Sequence, residues 1–97
     1  MATYIILINY TDQGIRSVKD SPNRLDAAKQ RAKDLGGEIN QTYLTLGGHD
    51  MVAILELPDD EAAAKFGLSV GALGNIRTTT LRAFAEDEYR EIIASLP

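Results

Sequence analysis

Residues 38–57 read EINQTYLTLGGHDMVAILEL, and the fold turns on this stretch. Two apolar, β-branched runs flank Gly47-Gly48. They predict strands at 38–46 and 50–57 joined by a tight hairpin, because both glycines tolerate the positive φ of a two-residue type I′ turn. That turn sets a register in which Leu46 opposes His49, Thr45 opposes Asp50, Leu44 opposes Met51 and Tyr43 opposes Val52. Leu44, Leu46, Met51, Ala53 and Leu55 then share a face suited to packing under helices. Ile39, Gln41, Tyr43, Thr45, Asp50, Val52, Ile54 and Glu56 share the other, which is half apolar and half polar.

Outward from the hairpin, residues 2–10 are nearly all apolar, which predicts a strand buried on both faces and central in its sheet. Thr11-Asp12 opens a short helical turn through Lys19. Ser21-Pro22 starts a helix, with Ser21 as N-cap and Pro22 at the first position, where a missing N–H costs nothing. Leu25, Ala28, Ala32 and Leu35 make one narrow apolar stripe on it, and Gly36-Gly37 ends it. Pro58-Asp59-Asp60 breaks the following strand and caps a second helix, which turns Ala63, Phe66, Val70 and Leu73 inward and stops at Gly74-Asn75. Residues 76–84 read as a fourth strand. A last helix starts at Glu86-Asp87-Glu88, whose charges suit its positive end, and carries Tyr89, Ile92, Ile93 and Leu96 on one stripe.

The order β-α-β-β-α-β-α, with right-handed crossovers, predicts an α+β, ferredoxin-like βαββαβ fold with an extra C-terminal helix. Strands one and three lie in the middle of its sheet. No linker or repeat interrupts the chain, so residues 1–97 are expected to form one domain.

Composition narrows the function classes. The chain is 44% hydrophobic and 25% charged, ordinary for a globular protein, and its net charge of −4 argues against a general nucleic-acid binder. The basic residues from Arg16 to Lys33 alternate with Asp20, Asp26 and Asp34, the pattern of a solvated helix face. There is no cysteine, which removes disulfides, zinc-thiolate sites and thiol nucleophiles. Met1-Ala2-Thr3-Tyr4 shows no basic leader or cleavage site, and the apolar runs are too short to span a bilayer, so a soluble cytoplasmic protein is expected.

At this size a chain buries a modest share of its surface. The mixed second face of the hairpin, extended by Thr78, Thr80 and Arg82, reads as a face covered by something other than bulk water. The expectation is a homodimer packed sheet against sheet, burying Ile39, Val52 and Ile54, with a higher oligomer left open.

His49 is the only histidine, the residue type suited to general-base chemistry. With no other histidine or cysteine, no metal site is expected. Asp50, the neighbouring residue, points to the opposite side of a strand and so cannot orient the ring. Asp50 itself is placed at a cavity mouth among hydroxyls, where it could orient a ligand or take a proton. The structural alternative is that it fixes the hairpin. The predicted ligand site is Tyr10, Tyr43, Thr45, Asp50, Thr78 and Thr80, with Asp50 and His49 as the catalytic candidates. Arg82 and Glu56 are expected at the far end of that same face, as a partly buried ion pair or an interface contact.

The runs Tyr43–Asp50, Glu56–Ala64 and Gly74–Phe84, with the opening Thr11–Ile15 and Ser21–Arg24, resemble the GYD-domain family along nearly the whole chain. The Gly-Tyr-Asp motif falls on Gly48, His49 and Asp50, so histidine stands in the tyrosine's place. The resemblance implies a ferredoxin-like fold of the dimeric α/β-barrel type and names no reaction. Related barrels host monooxygenases, haem enzymes and ligand sensors. The expected function is accordingly binding of a small molecule, in a cavity between the helices and the sheet-to-sheet dimer, with no cofactor. The alternatives are a cofactor-free enzyme of monooxygenase or isomerase type, using Tyr43 or Tyr10 as hydroxyl donor, and a structural assembly module.

Overall fold

The apolar run after Met1 forms strand β1 (Ala2–Tyr10), which lies inside the sheet, as a strand without a polar face must. The computed structural model describes Met1–Pro97. After β1 come α1 (Asp12–Arg16), a 3-10 turn (Val18–Asp20), α2 (Ser21–Asp34), β2 (Glu38–Leu44) and β3 (Met51–Leu57). Then follow α3 (Asp60–Gly71), β4 (Ile76–Ala83) and α4 (Glu86–Ala94). The antiparallel sheet has the order β2-β3-β1-β4, the ferredoxin-like arrangement with an added C-terminal helix.

Helices α2 and α3 cover one face. There Tyr4, Ile6, Ala53, Leu55 and Leu57 of the sheet meet Ala32, Ala62, Ala63, Phe66 and Val70 of the helices. Burying one side chain of leucine size contributes about 1.5–3 kcal/mol, so this layer carries most of the stability. Two polar contacts anchor α3 at its start. Asp59 accepts from the Ala62 N–H at 2.9 Å, and Tyr4 donates its hydroxyl to Asp60 Oδ1 at 2.6 Å. No helix is long and apolar enough to cross a membrane.

Several sequence expectations need correction. The hairpin is wider than a two-residue turn: β2 ends at Leu44 and β3 begins at Met51, leaving residues 45–50 as a loop. Of its two glycines only Gly47 has positive φ, at 107°, so the type I′ turn does not form. The pairs Leu44–Met51 and Tyr43–Val52 stand as expected. A bulge between Ile39 and Gln41 then shifts the register, placing Ile39 opposite Leu55 on the helix side. Leu46 lies in the loop and is fully exposed, and Leu44, on the edge strand β2, is mostly so.

Strand β4 is also turned over relative to expectation. Thr78 pairs with Ile8, Thr80 with Ile6 and Arg82 with Tyr4, so all three face the helices. Arg82 lies over the rings of Tyr4 and Phe84 there, while Glu56, across the sheet, accepts from Thr3 at 2.8 Å. The expected Arg82–Glu56 ion pair cannot form through the sheet. Ser21 is helical rather than a cap, and its hydroxyl meets that of Tyr10 at 3.0 Å.

The face away from the helices shows Ile5, Leu7, Val52 and Ile54 half-buried, with Tyr43 and Leu81 more exposed. Helix α4 stands apart: it packs substantially on no other element, and Tyr89, Ile92 and Ile93 are exposed along it. The radius of gyration, 14.5 Å, exceeds the roughly 13 Å of a compact chain of this length for that reason.

Candidate functional site

The inward side of α2 is built from small residues. Ala28 lies toward the sheet, where Ala53 is buried, Ala27 stands exposed at the rim, and α2 and α3 barely touch each other. Alanines cannot fill that spacing, and a cleft of about 230 Å³ results between the two helices and the sheet. Ile6, Ile8 and Met51 form its floor; Leu25 of α2 faces Phe66 and Val70 of α3 across it.

Polar groups sit at its margins. The Tyr10 hydroxyl donates toward Met51 Sδ at 3.3 Å beside Ser21, and Asn75 and Thr78 close the β4 side. Thr42 Oγ1 is buried and makes no hydrogen bond, a cost of about 1–3 kcal/mol for a hydroxyl left without a partner. Arg24 and Arg31 are the only charged residues lining the cleft. Arg24 donates to the Ser17 carbonyl and hydroxyl at 3.1 Å and to the Gly14 carbonyl at 3.2 Å, fastening α2 to the α1 segment.

Of the six residues expected to hold a ligand, the structure brings Tyr10 and Thr78 to this cleft. Thr80 faces the same helix, near Gly67, but outside the cleft. Tyr43 is on the opposite face of the sheet, half exposed. Thr45 lies in the 45–50 loop and donates to the His49 carbonyl at 2.6 Å. Asp50 is turned to the β1 strand: its carboxylate accepts from the Tyr10 N–H at 2.8 Å, and its own N–H donates to the Ile8 carbonyl at 2.9 Å. Asp50 therefore ties the loop to β1, and His49 beside it is exposed. No group of three histidine, aspartate or glutamate side chains is arranged so that it could hold a metal ion.

Sequence reasoning missed Arg24, Arg31, Thr42 and Ala27, and read Ala28 only as part of the apolar stripe of its helix. The signal was present in the spacing, since Arg24, Ala27, Ala28 and Arg31 fall at i, i+3, i+4 and i+7 and share one helix face. Away from the cleft, Tyr4 is shifted strongly by its surroundings. Burial pushes the Tyr4 hydroxyl up to about 12, helped by its hydrogen bond to Asp60 and by that carboxylate's charge; Arg82 acts the other way.

Comparison with known proteins gives four findings. The family model described as the GYD domain matches residues 4–93. A curated relative from Thermus thermophilus, named glutamine synthetase and cystathionine beta-lyase binding protein, is 31% identical over 84 residues, covering 86% of this chain and 88% of its own. Among solved structures, TTHA0845 from Thermus thermophilus superposes with a TM-score of 0.56 at 26% identity, over 88% of this chain and 95% of that one. A REP-associated tyrosine transposase bound to a REP hairpin superposes at 0.51 with 17% identity, over 95% of this chain and 62% of that one, a likeness of fold alone.

Proposed function

This chain belongs to the GYD domain family, and from that premise we propose that it binds a small, largely apolar molecule in the cleft between α2, α3 and the sheet. The observation that carries the reading is the cleft itself, with apolar walls and an unpartnered hydroxyl, Thr42, against it. A dry cavity of about 150 Å³ accepts benzene, so 230 Å³ has room for about eight or nine carbons. Binding without catalysis is favoured over a cofactor-free enzyme, because Asp50 and His49 do not line the cleft and the Asp50 carboxylate is engaged by backbone.

Calorimetric titration with 1-hexanol tests this directly. Saturable one-to-one binding is expected, and Ala28→Phe, which fills the space from α2, should abolish it while leaving the circular dichroism spectrum unchanged. Binding that survives Ala28→Phe unaltered would place the ligand elsewhere.

The same reading has the protein working in the cytoplasm as a homodimer, with the faces carrying Ile5, Leu7, Val52 and Ile54 packed together. A second reading is favoured by the name of the Thermus thermophilus relative and by the uncovered apolar stripe of α4: that this chain docks on a metabolic enzyme as an assembly module. Size-exclusion chromatography with purified glutamine synthetase and cystathionine beta-lyase of the same source separates the two. Co-elution supports docking, and independent elution of all three counts against it.

A further inference from the structure

Taking the cleft as the binding site, we propose that its ligand is a carboxylate-bearing amphiphile, an organic acid with an apolar body of about eight carbons. Nineteen residues line the cleft, and their charged members are two arginines with no carboxylate among them. That is against the trend of the molecule, whose net charge is −4. An apolar pocket in an acidic protein with a purely cationic margin complements an anion attached to a hydrocarbon body.

The two arginines are not equivalent. Arg24 and Arg31 are seven residues apart on α2, about 10 Å along the helix axis at 1.5 Å per residue. Arg24 is held by three neutral oxygens of the α1 segment and shapes the site more than it serves it. Arg31 is half-buried and has no acidic partner, since the ion pairs of the chain are Lys65–Glu61 and Arg90–Glu86. A half-buried guanidinium beside apolar walls gains most from a carboxylate, whose two oxygens match its paired N–H donors. One such group fits one negative charge. The Thr42 hydroxyl, buried and unpartnered, adds a neutral hydrogen-bonding group to the same cleft.

The test pairs two probes of equal length, octanoate and 1-octanol, titrated at neutral pH into the full-length protein, its Arg31→Gln variant and its Ala28→Phe variant. In water octanoate is the less hydrophobic of the two, so apolar contact alone ranks it second. The proposal predicts the reverse order, with octanoate about tenfold tighter, the gain expected of one hydrogen-bonded charge pair. Arg31→Gln should erase that preference, weakening octanoate more than 1-octanol. Equal affinities, or an Arg31→Gln effect that is the same for both probes, would overturn the carboxylate assignment and leave the cleft reading standing. Failure of both probes to bind, or binding indifferent to Ala28→Phe, would overturn the cleft reading and this inference with it.

Discussion

Tyr4 shows how a single residue links stability to chemistry. It sits on the helix side of β1, nearly inaccessible to water, and its hydroxyl reaches the start of α3. Because burial and Asp60 hold its proton in the folded state up to about 12, against 10.0 in the unfolded chain, the protonated form is favoured by folding. The stabilisation is complete below pH 10 and is lost as pH rises toward 12, where the unfolded chain sheds a proton that the folded one keeps. Tyr4→Phe should cost about 1.5 kcal/mol at pH 7, the worth of a hydrogen bond to a charged acceptor. Denaturant titrations should show that gap narrowing above pH 10; a gap independent of pH would contradict the assignment. Not every contact of this kind is legible in a sequence. Tyr4 reads as one more apolar strand residue, and its partner lies 56 positions away. Gly14 is a second case: a side chain there would collide with the Asn75 backbone, a clash that only the folded chain creates.

Among the elements, legibility follows the length of the pattern. Strand β1 and helix α3 carry long, regular signals; β1 forms where the pattern places it, and α3 buries Ala63, Phe66 and Val70 but ends at Gly71, short of the expected Gly74-Asn75, leaving Leu73 half exposed beyond it. The hairpin is harder. A glycine pair permits a tight turn but does not compel one, and here Asp50 draws the chain aside by bonding Tyr10 and Ile8 of the neighbouring strand. The bulge near Asn40 leaves no mark in composition, yet it carries Ile39 to the other side of the sheet. Strand β4 turns the other way from its expected orientation because its run of threonines has no apolar alternation to show which face is inward. Asp50→Ala should destabilise the fold by about 1–2 kcal/mol through the lost backbone anchor, with 1-hexanol affinity unchanged. A fall in affinity at full folding would restore Asp50 as a ligand-binding residue.

In the whole molecule, two apolar surfaces have no partner within the chain: the outer sheet face and the stripe along α4. The mixed face of the hairpin anticipates the first, although the residues making it up, Ile5, Leu7, Val52, Ile54 and Leu81, differ in part from those expected. If that face is a dimer interface, sedimentation should give twice the 10.6 kDa of one chain at micromolar concentration. Ile54→Lys should then yield a monomer, since a lysine at the centre of a buried face leaves a charge without a partner. A wild-type monomer would remove the dimer from the account.

The cleft depends on what side chains fail to fill, and small residues at 27, 28 and 53 announce that only after the helix is laid on the sheet. Its role as a binding site is best tested by methyl and amide chemical shifts recorded during titration with 1-hexanol. Saturable shifts should gather at Ile8, Ala28, Met51, Val70 and Ile76, which line the cleft from several different elements. Shifts confined to α4 or to the outer sheet face, or no saturable shift at all, would contradict it.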